Sequence, residues 1–214
     1  AGFKIRRMLR NGKLVNKEID DDRKKITKNT AAIVVVHYGS HCADIVKFKK
    51  LCKKKSLLLI EDAAQSFNSF IGNKSVGSYG DLSCLSFHET KNIHAGLCGA
   101  LLINNKDFIE RSEYIWERGT DRKKVVEGII NKYQWVELGG SFYPTELQAA
   151  FLFSQLRVLK KNLIKRKKIY NYYSTSLEAL KKSKKIYFPD LKKNFKSNYH
   201  SFWILLNSEE DCKL

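Results

Sequence analysis

Several features are scarce or missing in this sequence of 214 residues. It has two prolines and one methionine, and no run of about 18 apolar residues that would predict a membrane span. The basic N-terminus, residues 1–7, lacks the apolar stretch of a signal peptide. Five cysteines without any C-x-x-C spacing favour buried, reduced thiols over a disulfide framework or a metal site: Cys42, Cys52, Cys84, Cys98 and Cys212. These absences predict a cytoplasmic protein.

Acidic residues are also scarce, and the formal net charge is +18. Between Arg157 and Lys185 there are eleven basic residues and one acid, Glu178. Such a stripe could bind phosphates of a nucleic acid, but lysine stems on a solvated helix face need no partner. Because no nucleic-acid-binding motif accompanies the stripe, we expect no specific nucleic-acid binding. A non-catalytic basic nucleic-acid-binding protein remains an alternative.

Apolar runs alternate with helix-like stretches in the first half of the chain. Strands are predicted at 31–36, 57–60, 82–87 and 100–103, and helices at 44–54 and 107–118. Near-continuous apolar strands linked by helices predict an α/β domain whose mostly parallel sheet is covered on both faces.

A long helix is predicted from Thr145 toward Leu180, because Thr145 and Gln148 have the spacing of a capping box. Beyond it, residues 185–189 and 201–206 are predicted strands. The expected division is a partial large domain with its connecting helix (1–180) and the start of a smaller α+β domain (181–214).

Polar clusters follow two of the predicted strands. Asp62 stands after the second strand, and Lys91 follows the third in the string Ser86-Phe87-His88-Glu89-Thr90-Lys91-Asn92. Ligands of open α/β sheets bind at the carboxyl ends of the strands. A lysine that forms a Schiff base and an acid that protonates a pyridine nitrogen would suit the two ends of pyridoxal phosphate. Taken alone, the pattern also fits a capping aspartate and a solvent-exposed lysine.

Four strings in the same order resemble the DegT/DnrJ-type sugar aminotransferases: Glu61-Asp62-Ala63-Ala64-Gln65, Gly77-Ser78-Tyr79-Gly80-Asp81, the Ser86 to Asn92 string and Gln148-Ala149-Ala150. The resemblance implies the type I (aspartate aminotransferase-like) fold with pyridoxal 5'-phosphate as cofactor. Further strings, among them His37-Tyr38-Gly39 and Lys132-Tyr133-Gln134-Trp135, are most similar to the branch that aminates dTDP-4-keto-6-deoxyglucose.

The resemblance also implies roles for individual residues. Lys91 forms the internal aldimine and moves the proton, and Asp62 pairs with the pyridinium nitrogen. Gln65 binds the phenolic oxygen, and Ser86 binds the phosphate. His88 either lines the pocket or is simply packed. Ser141 replaces a residue that reaches the phosphate of the other subunit, which implies a homodimer.

The chain departs from the family pattern in two places. The loop Gly96-Leu97-Cys98-Gly99 lacks the acid of the usual Gly-Glu-Gly-Gly, which puts substrate contacts there in doubt. Ser141-Phe142-Tyr143 stands where Asn-Tyr-Arg is frequent. Both ends of the chain look like cuts through a longer protein, so we expect these 214 residues alone to be inactive.

The expected reaction is transfer of an amino group, from L-glutamate, to the C4 ketone of a dTDP-linked 4-keto-6-deoxy sugar, in the synthesis of cell-surface polysaccharide precursors. Another sugar-nucleotide aminotransferase, with a different nucleotide or ring carbon, is the main alternative. A sugar 3-dehydratase of the same fold would have histidine in place of Lys91.

Overall fold

The computed structural model describes residues 25–208, together with the backbone of two short paired strands, β1 (Leu9–Arg10) and β2 (Lys13–Leu14). The following strands are β3 (Ala32–Val36), β4 (Leu58–Asp62), β5 (Phe70–Ile71), β6 (Lys74–Ser75), β7 (Leu82–Ser86), β8 (Gly99–Ile103), β9 (Ile186–Tyr187), β10 (Phe195–Lys196) and β11 (Leu205–Leu206). The helices are α1 (Ile45–Lys55), α2 (Ile109–Trp116), α3 (Arg122–Val126), α4 (Glu146–Ser176) and α5 (Glu178–Lys182), and a 3-10 turn (Lys106–Phe108) precedes α2.

The central sheet has the strand order β3-β4-β7-β8. The pairs β3/β4 and β4/β7 are parallel, and β8 returns antiparallel to β7. This confirms the predicted α/β fold with a mostly parallel sheet. Since β3, β4 and β7 run in the same direction, their carboxyl ends meet at one edge of the sheet. His37, Asp62 and Ser86 all lie at or beside this edge.

One face of the sheet carries the core. Val35 and Leu59 are buried there together with four residues at helical spacing on α1: Ile45, Phe48, Leu51 and Cys52. The opposite face is open in the described part of the chain, because Val34 is 44% exposed and Leu101 is 50% exposed. The prediction that both faces are covered therefore does not hold for residues 25–208.

Local sequence explains where α1 ends. Ser56 follows the helix in the left-handed backbone region at φ 51°, and its amide donates to the carbonyl groups of the last turn. The last turn is also rich in lysine, which the negative end of the helix dipole favours. The predicted helix 44–54 and the observed one differ by one residue at each end.

The long helix begins as predicted. Thr145 Oγ1 accepts from the Gln148 amide at 3.2 Å, while Gln148 Oε1 accepts from the Thr145 amide at 2.9 Å. The helix ends at Ser176, and α5 follows after Leu177. Among its residues only Tyr170 is buried. No helix of the described residues is long and apolar enough to cross a membrane.

The strands after α5 pair at two different sites. Strands β9 and β11 form a small antiparallel pair, whereas β10 pairs with β5 beside the central sheet. Phe195 of β10 even belongs to the core cluster of the large sheet. The division at residue 180 stays a prediction, but part of the later segment packs on the large domain.

Several predicted elements are shorter in the structure. The helix predicted over 107–118 is split into a 3-10 turn and α2, and the strand predicted over 201–206 is confined to Leu205–Leu206. The two-residue strands β5, β6 and β10 and the helix α3 were not predicted. The described cysteines are free, but Cys84 is exposed rather than buried because it lies on the open face of the sheet. Cys212 lies outside the described residues.

Candidate active site

Asp62 is the last residue of β4, at the carboxyl edge of the sheet. It is half-buried, and its Oδ1 accepts a hydrogen bond from the Ala64 amide at 3.1 Å. Its Oδ2 has no hydrogen bond within the described residues. Although the Cys84 side chain is exposed, the protein around its thiol partly desolvates it, and this, followed by the Asp62 charge, raises its pKa. One carboxylate oxygen is therefore anchored, and the other is available to a ligand on the open face.

Gln65 lies in the loop that follows β4, which we call the aspartate loop (residues 63–69). Its Oε1 accepts from the Gly39 amide at 2.8 Å. This contact fixes the orientation of the side-chain amide, because an N–H donor must face the oxygen. The Nε2 end has no partner in the described part of the chain, so Gln65 can donate to a ligand oxygen.

Lys91 lies in the loop between β7 and β8, which we call the lysine loop (residues 87–98). The loop is closed by two backbone hydrogen bonds, each 2.8 Å long. The Phe87 amide donates to the Cys98 carbonyl, and the Ala95 amide donates to the Phe87 carbonyl. Lys91 itself is half-buried, and its amide donates to the His88 carbonyl at 2.9 Å. Within residues 25–208 its Nζ makes no hydrogen bond or ion pair.

Ser86 is the last residue of β7. Because Cys84 is the register partner of Asp62, and side chains alternate along a strand, Ser86 shares the open face with Asp62. Its Oγ accepts from the His88 amide at 3.3 Å, which leaves the hydroxyl hydrogen to donate. The structure thus brings Asp62 and Ser86 to one face of one edge, with the lysine loop following directly.

The two remaining predicted residues are placed differently. The His88 ring is half-buried and contacts Thr90, whose Oγ1 is 3.1 Å from Nδ1. This contact is local, so His88 as a pocket-lining residue stays a prediction. Ser141 is exposed and its backbone pairs with Glu117 in the segment before α4. It is part of a different segment from the strand-end residues, and its predicted role in a second subunit also stays a prediction.

Gln148, the second member of the capping box of α4, also contacts the lysine loop. Gln148 Nε2 donates to the carbonyl groups of Ala95 and Leu97, at 3.3 and 3.1 Å. The same side chain therefore caps the long helix and fixes the altered Gly96-Leu97-Cys98-Gly99 segment. This explains why Gln148 belongs with the lysine string in the sequence pattern.

Sequence reasoning missed the role of Glu61, which is fully buried one position before Asp62. Its Oε1 accepts from the amides of Tyr79 and Gly80, both at 2.6 Å. Its Oε2 accepts from the Gly77 amide at 2.9 Å and lies 3.0 Å from His37 Nε2. The Gly77 to Asp81 string is thus a structural turn around a buried carboxylate.

Electrostatics agree with this arrangement. Burial alone would raise the pKa of Glu61, but the hydrogen bonds from His37 and from the turn amides outweigh it, and the pKa is lowered. A signal for this was present in the sequence, since a carboxylate inside an apolar strand must find internal donors.

Cys42, His37 and Glu61 have the order of a nucleophilic triad, with Cys42 Sγ 3.2 Å from His37 Nδ1. Their environment excludes that role. All three are buried, and burial followed by the Glu61 charge raises the pKa of Cys42 to about 12. The thiolate needed for attack is therefore absent at neutral pH.

Comparison with known proteins identifies the family of this chain. The model of the DegT/DnrJ/EryC1/StrS aminotransferase family matches residues 13–213. The chain belongs to this family. Its membership, together with the sheet and the likeness to solved aminotransferases, confirms the predicted family and the predicted type I fold.

Individual relatives are similar along nearly the whole chain. The UDP-4-amino-4,6-dideoxy-N-acetyl-beta-L-altrosamine transaminase of Campylobacter jejuni is 31% identical over 204 residues, which are 94% of this chain and 52% of that protein. The GDP-perosamine synthase of Vibrio cholerae is 30% identical over 195 residues, 90% of this chain and 49% of the relative. The chain spans about half the length of these curated relatives.

A solved structure gives the same result. PseC of Helicobacter pylori, an aminotransferase involved in the biosynthesis of pseudoaminic acid, is 27% identical with a TM-score of 0.72. The match covers 89% of this chain and 50% of PseC.

Proposed function

We propose that this protein transfers an amino group to the ketone of a nucleotide-linked sugar, with pyridoxal phosphate bound between Lys91 and Asp62. The observation that supports it most is the state of Lys91. The residue is half-buried beside the carboxyl edge of the sheet, and its amine has no carboxylate partner among the described residues. A lysine without an ion pair keeps its amine available for bonding to a carbonyl.

The available atoms at the edge suit the cofactor. When bound, pyridoxal phosphate supplies an aldehyde for an amine and a ring that accepts electrons. Asp62 Oδ2 holds the proton on the ring nitrogen, and Gln65 Nε2 donates to the phenolic oxygen. The hydroxyl of Ser86 donates to the phosphate, and Lys91 Nζ moves the proton at the reacting carbon. His88 lines the pocket.

The remaining parts of the proposal concern the whole protein. Ser141 donates to the phosphate in the second subunit of a homodimer, which its exposed position before α4 permits. The protein acts in the cytoplasm. Its product enters the synthesis of a cell-surface polysaccharide.

For the substrate, we propose a dTDP-linked 4-keto-6-deoxy sugar aminated at C4 with L-glutamate as donor. The strings from His37 to Gly39 and from Lys132 to Trp135 support this branch. A UDP- or GDP-linked keto sugar is the second candidate, because relatives named for such sugars are similar along most of the chain.

Two measurements on the full-length protein test the proposal. Borohydride reduction of the cofactor-loaded protein, followed by peptide mapping, is expected to place the adduct on Lys91. Turnover is then measured with L-glutamate on a panel of dTDP-, UDP- and GDP-linked keto sugars. An adduct on another lysine would refute the site, and turnover of only UDP- or GDP-linked sugars would refute the dTDP assignment.

A further inference from the structure

Asn198 connects the two loops of the candidate site although it is at least 100 positions from either in the sequence. It is 2% exposed. Its Nδ2 donates to the carbonyl groups of Gln65 and Phe67 in the aspartate loop, at 2.9 and 3.0 Å. Its backbone amide donates to Ser69 Oγ at 3.1 Å, also in that loop. Asn198 is thus fixed to the aspartate loop by three hydrogen bonds.

The same residue reaches the lysine loop through its backbone carbonyl. Asn92, the neighbour of Lys91, donates from Nδ2 to the Asn198 carbonyl at 2.7 Å. The other end of the Asn92 side chain, Oδ1, lies 3.1 Å from His200 Nδ1. His200 is in turn fixed to Asn198, because its amide donates to Asn198 Oδ1 at 3.2 Å.

These contacts determine which nitrogen of the His200 ring carries a hydrogen. Asn92 Nδ2 must face the carbonyl, so its Oδ1 faces His200, and Nδ1 must carry the hydrogen that it donates. Burial, followed by the charges of Lys91 and Arg166, lowers the pKa of His200 to about 4. The ring is therefore neutral at physiological pH and does not add a second cation beside Lys91.

The segment around Asn198 is itself held from two sides. Ser40, just beyond β3, exchanges hydrogen bonds with Ser201, donating to its carbonyl at 2.7 Å and accepting from its amide at 2.8 Å. Arg166 of α4 donates to the His200 carbonyl at 3.1 Å. Asn198 therefore has a fixed position from which it can orient the loops.

We propose that Asn198 is a positioning residue for the lysine site. It acts through Asn92 and holds Lys91 at a fixed place relative to the aspartate loop, which directly follows Asp62 and carries Gln65. The inference rests on the proposed function for the identity of the reacting lysine. The link between the loops does not depend on the cofactor and can be measured in its absence.

The first test uses the full-length apoprotein. Hydrogen exchange of the peptide covering residues 88–95 is compared among wild type, Asn198→Ala, Asn92→Ala and the control Asn194→Ala, which changes an exposed asparagine of the same segment. Both site variants are expected to exchange on the order of tenfold faster in this peptide, because the loop loses its anchor. The control should match the wild type.

The second test uses the cofactor-loaded protein. Both site variants should lower kcat by roughly 100-fold while KM changes far less, since a displacement of about 1 Å at a reacting group has this effect. The double variant should be no worse than Asn92→Ala alone, because the Asn198 side chain reaches Lys91 only by holding in place the backbone carbonyl that Asn92 bonds. The pH at which the absorption of the lysine-bound cofactor changes should also shift.

The outcomes separate the explanations. Unchanged exchange of residues 88–95 together with a lower melting temperature would overturn the proposal, since Asn198 would then be only structural. If Asn198→Ala does not fold, Asn92→Ala decides alone, because it leaves the bonds of Asn198 to the aspartate loop intact. A borohydride adduct on another lysine would refute the proposed function without changing the exchange result.

Discussion

Glu61→Gln tests the buried carboxylate that supports the strand end next to the candidate site. The substitution keeps the size of the side chain and removes its charge. In the native protein four N–H groups donate to the two oxygens of Glu61, two to each. A glutamine has one oxygen, so whichever way its amide is turned, its NH₂ group faces two N–H donors.

The magnitude follows from this count. Each buried donor that loses its acceptor costs about 1–3 kcal/mol, so the variant should lose about 2–6 kcal/mol of the free energy of unfolding. Native domains are stable by about 5–15 kcal/mol, so the loss is a large part of the total. The matched control, Glu127→Gln, removes only an exposed ion pair with Lys123 and should leave the free energy of unfolding close to that of the wild type.

Urea unfolding of the full-length protein, followed by circular dichroism, measures both variants. The pH dependence gives a second readout. Because the pKa of Glu61 is lowered in the folded protein, its stabilising effect is fully present above the ordinary value of 4.5 and is lost as the pH falls through the folded value. The difference in the free energy of unfolding between wild type and variant should therefore become smaller at acidic pH. A loss below 1 kcal/mol at pH 7, or a difference that does not become smaller, would refute the reasoning.

Three further predictions follow from the site and its surroundings. Asp62→Asn should still bind the cofactor on Lys91 but lower the transamination rate by orders of magnitude, because an amide cannot hold the pyridinium proton; near-normal steady-state turnover would contradict this. Alkylation of the native protein at pH 8, mapped by mass spectrometry, should modify exposed Cys84 before buried Cys42, and the reverse order would count against the open face of the sheet. Thr145→Ala should cost about 1 kcal/mol in thermal unfolding through loss of the capping box, and an unchanged melting temperature would speak against the cap.

Much of the sheet could be predicted because its strands are apolar and continuous. Four apolar runs became β3, β4, β7 and β8, with ends that differ by at most two residues from prediction. The pairs β5/β6 and β5/β10 could not be predicted in this way. All three strands are two residues long, too short to show a periodicity. The two-residue connection Gly72-Asn73 is a hairpin signal for β5/β6, but β10 is more than 100 positions from its partner and no local signal indicates that pairing.

The open face of the sheet was mispredicted for a related reason. Apolar residues on both faces of a strand indicate burial on both sides, but they do not say which part of a protein provides the cover. Within residues 25–208, α1 covers one face, and Val34, Cys84 and Leu101 remain exposed on the other. The sequence pattern indicates that both faces of a strand need cover, and the described residues cover only one of them.

The site itself shows which polar residues could be assigned from sequence and which needed the structure. Glu61 and Asp62 are adjacent and chemically alike, yet they serve different purposes. Every oxygen of Glu61 has donors within the chain, whereas Asp62 keeps one oxygen without a hydrogen bond among the described residues.

The same distinction applies to Asp81, which lies at the opposite edge of the sheet, just before β7. Asp81 of the glycine turn has both oxygens in use, since Oδ2 accepts from the Leu59 amide at 2.8 Å and Oδ1 from Asn105 at 3.4 Å. Gln65 and Lys91 each keep one donor group unused in the described part of the chain. A polar group beside a core must find a partner, so residues whose bonds are complete stabilise the fold, and those with unused atoms at a half-buried edge are the ones that can bind a ligand.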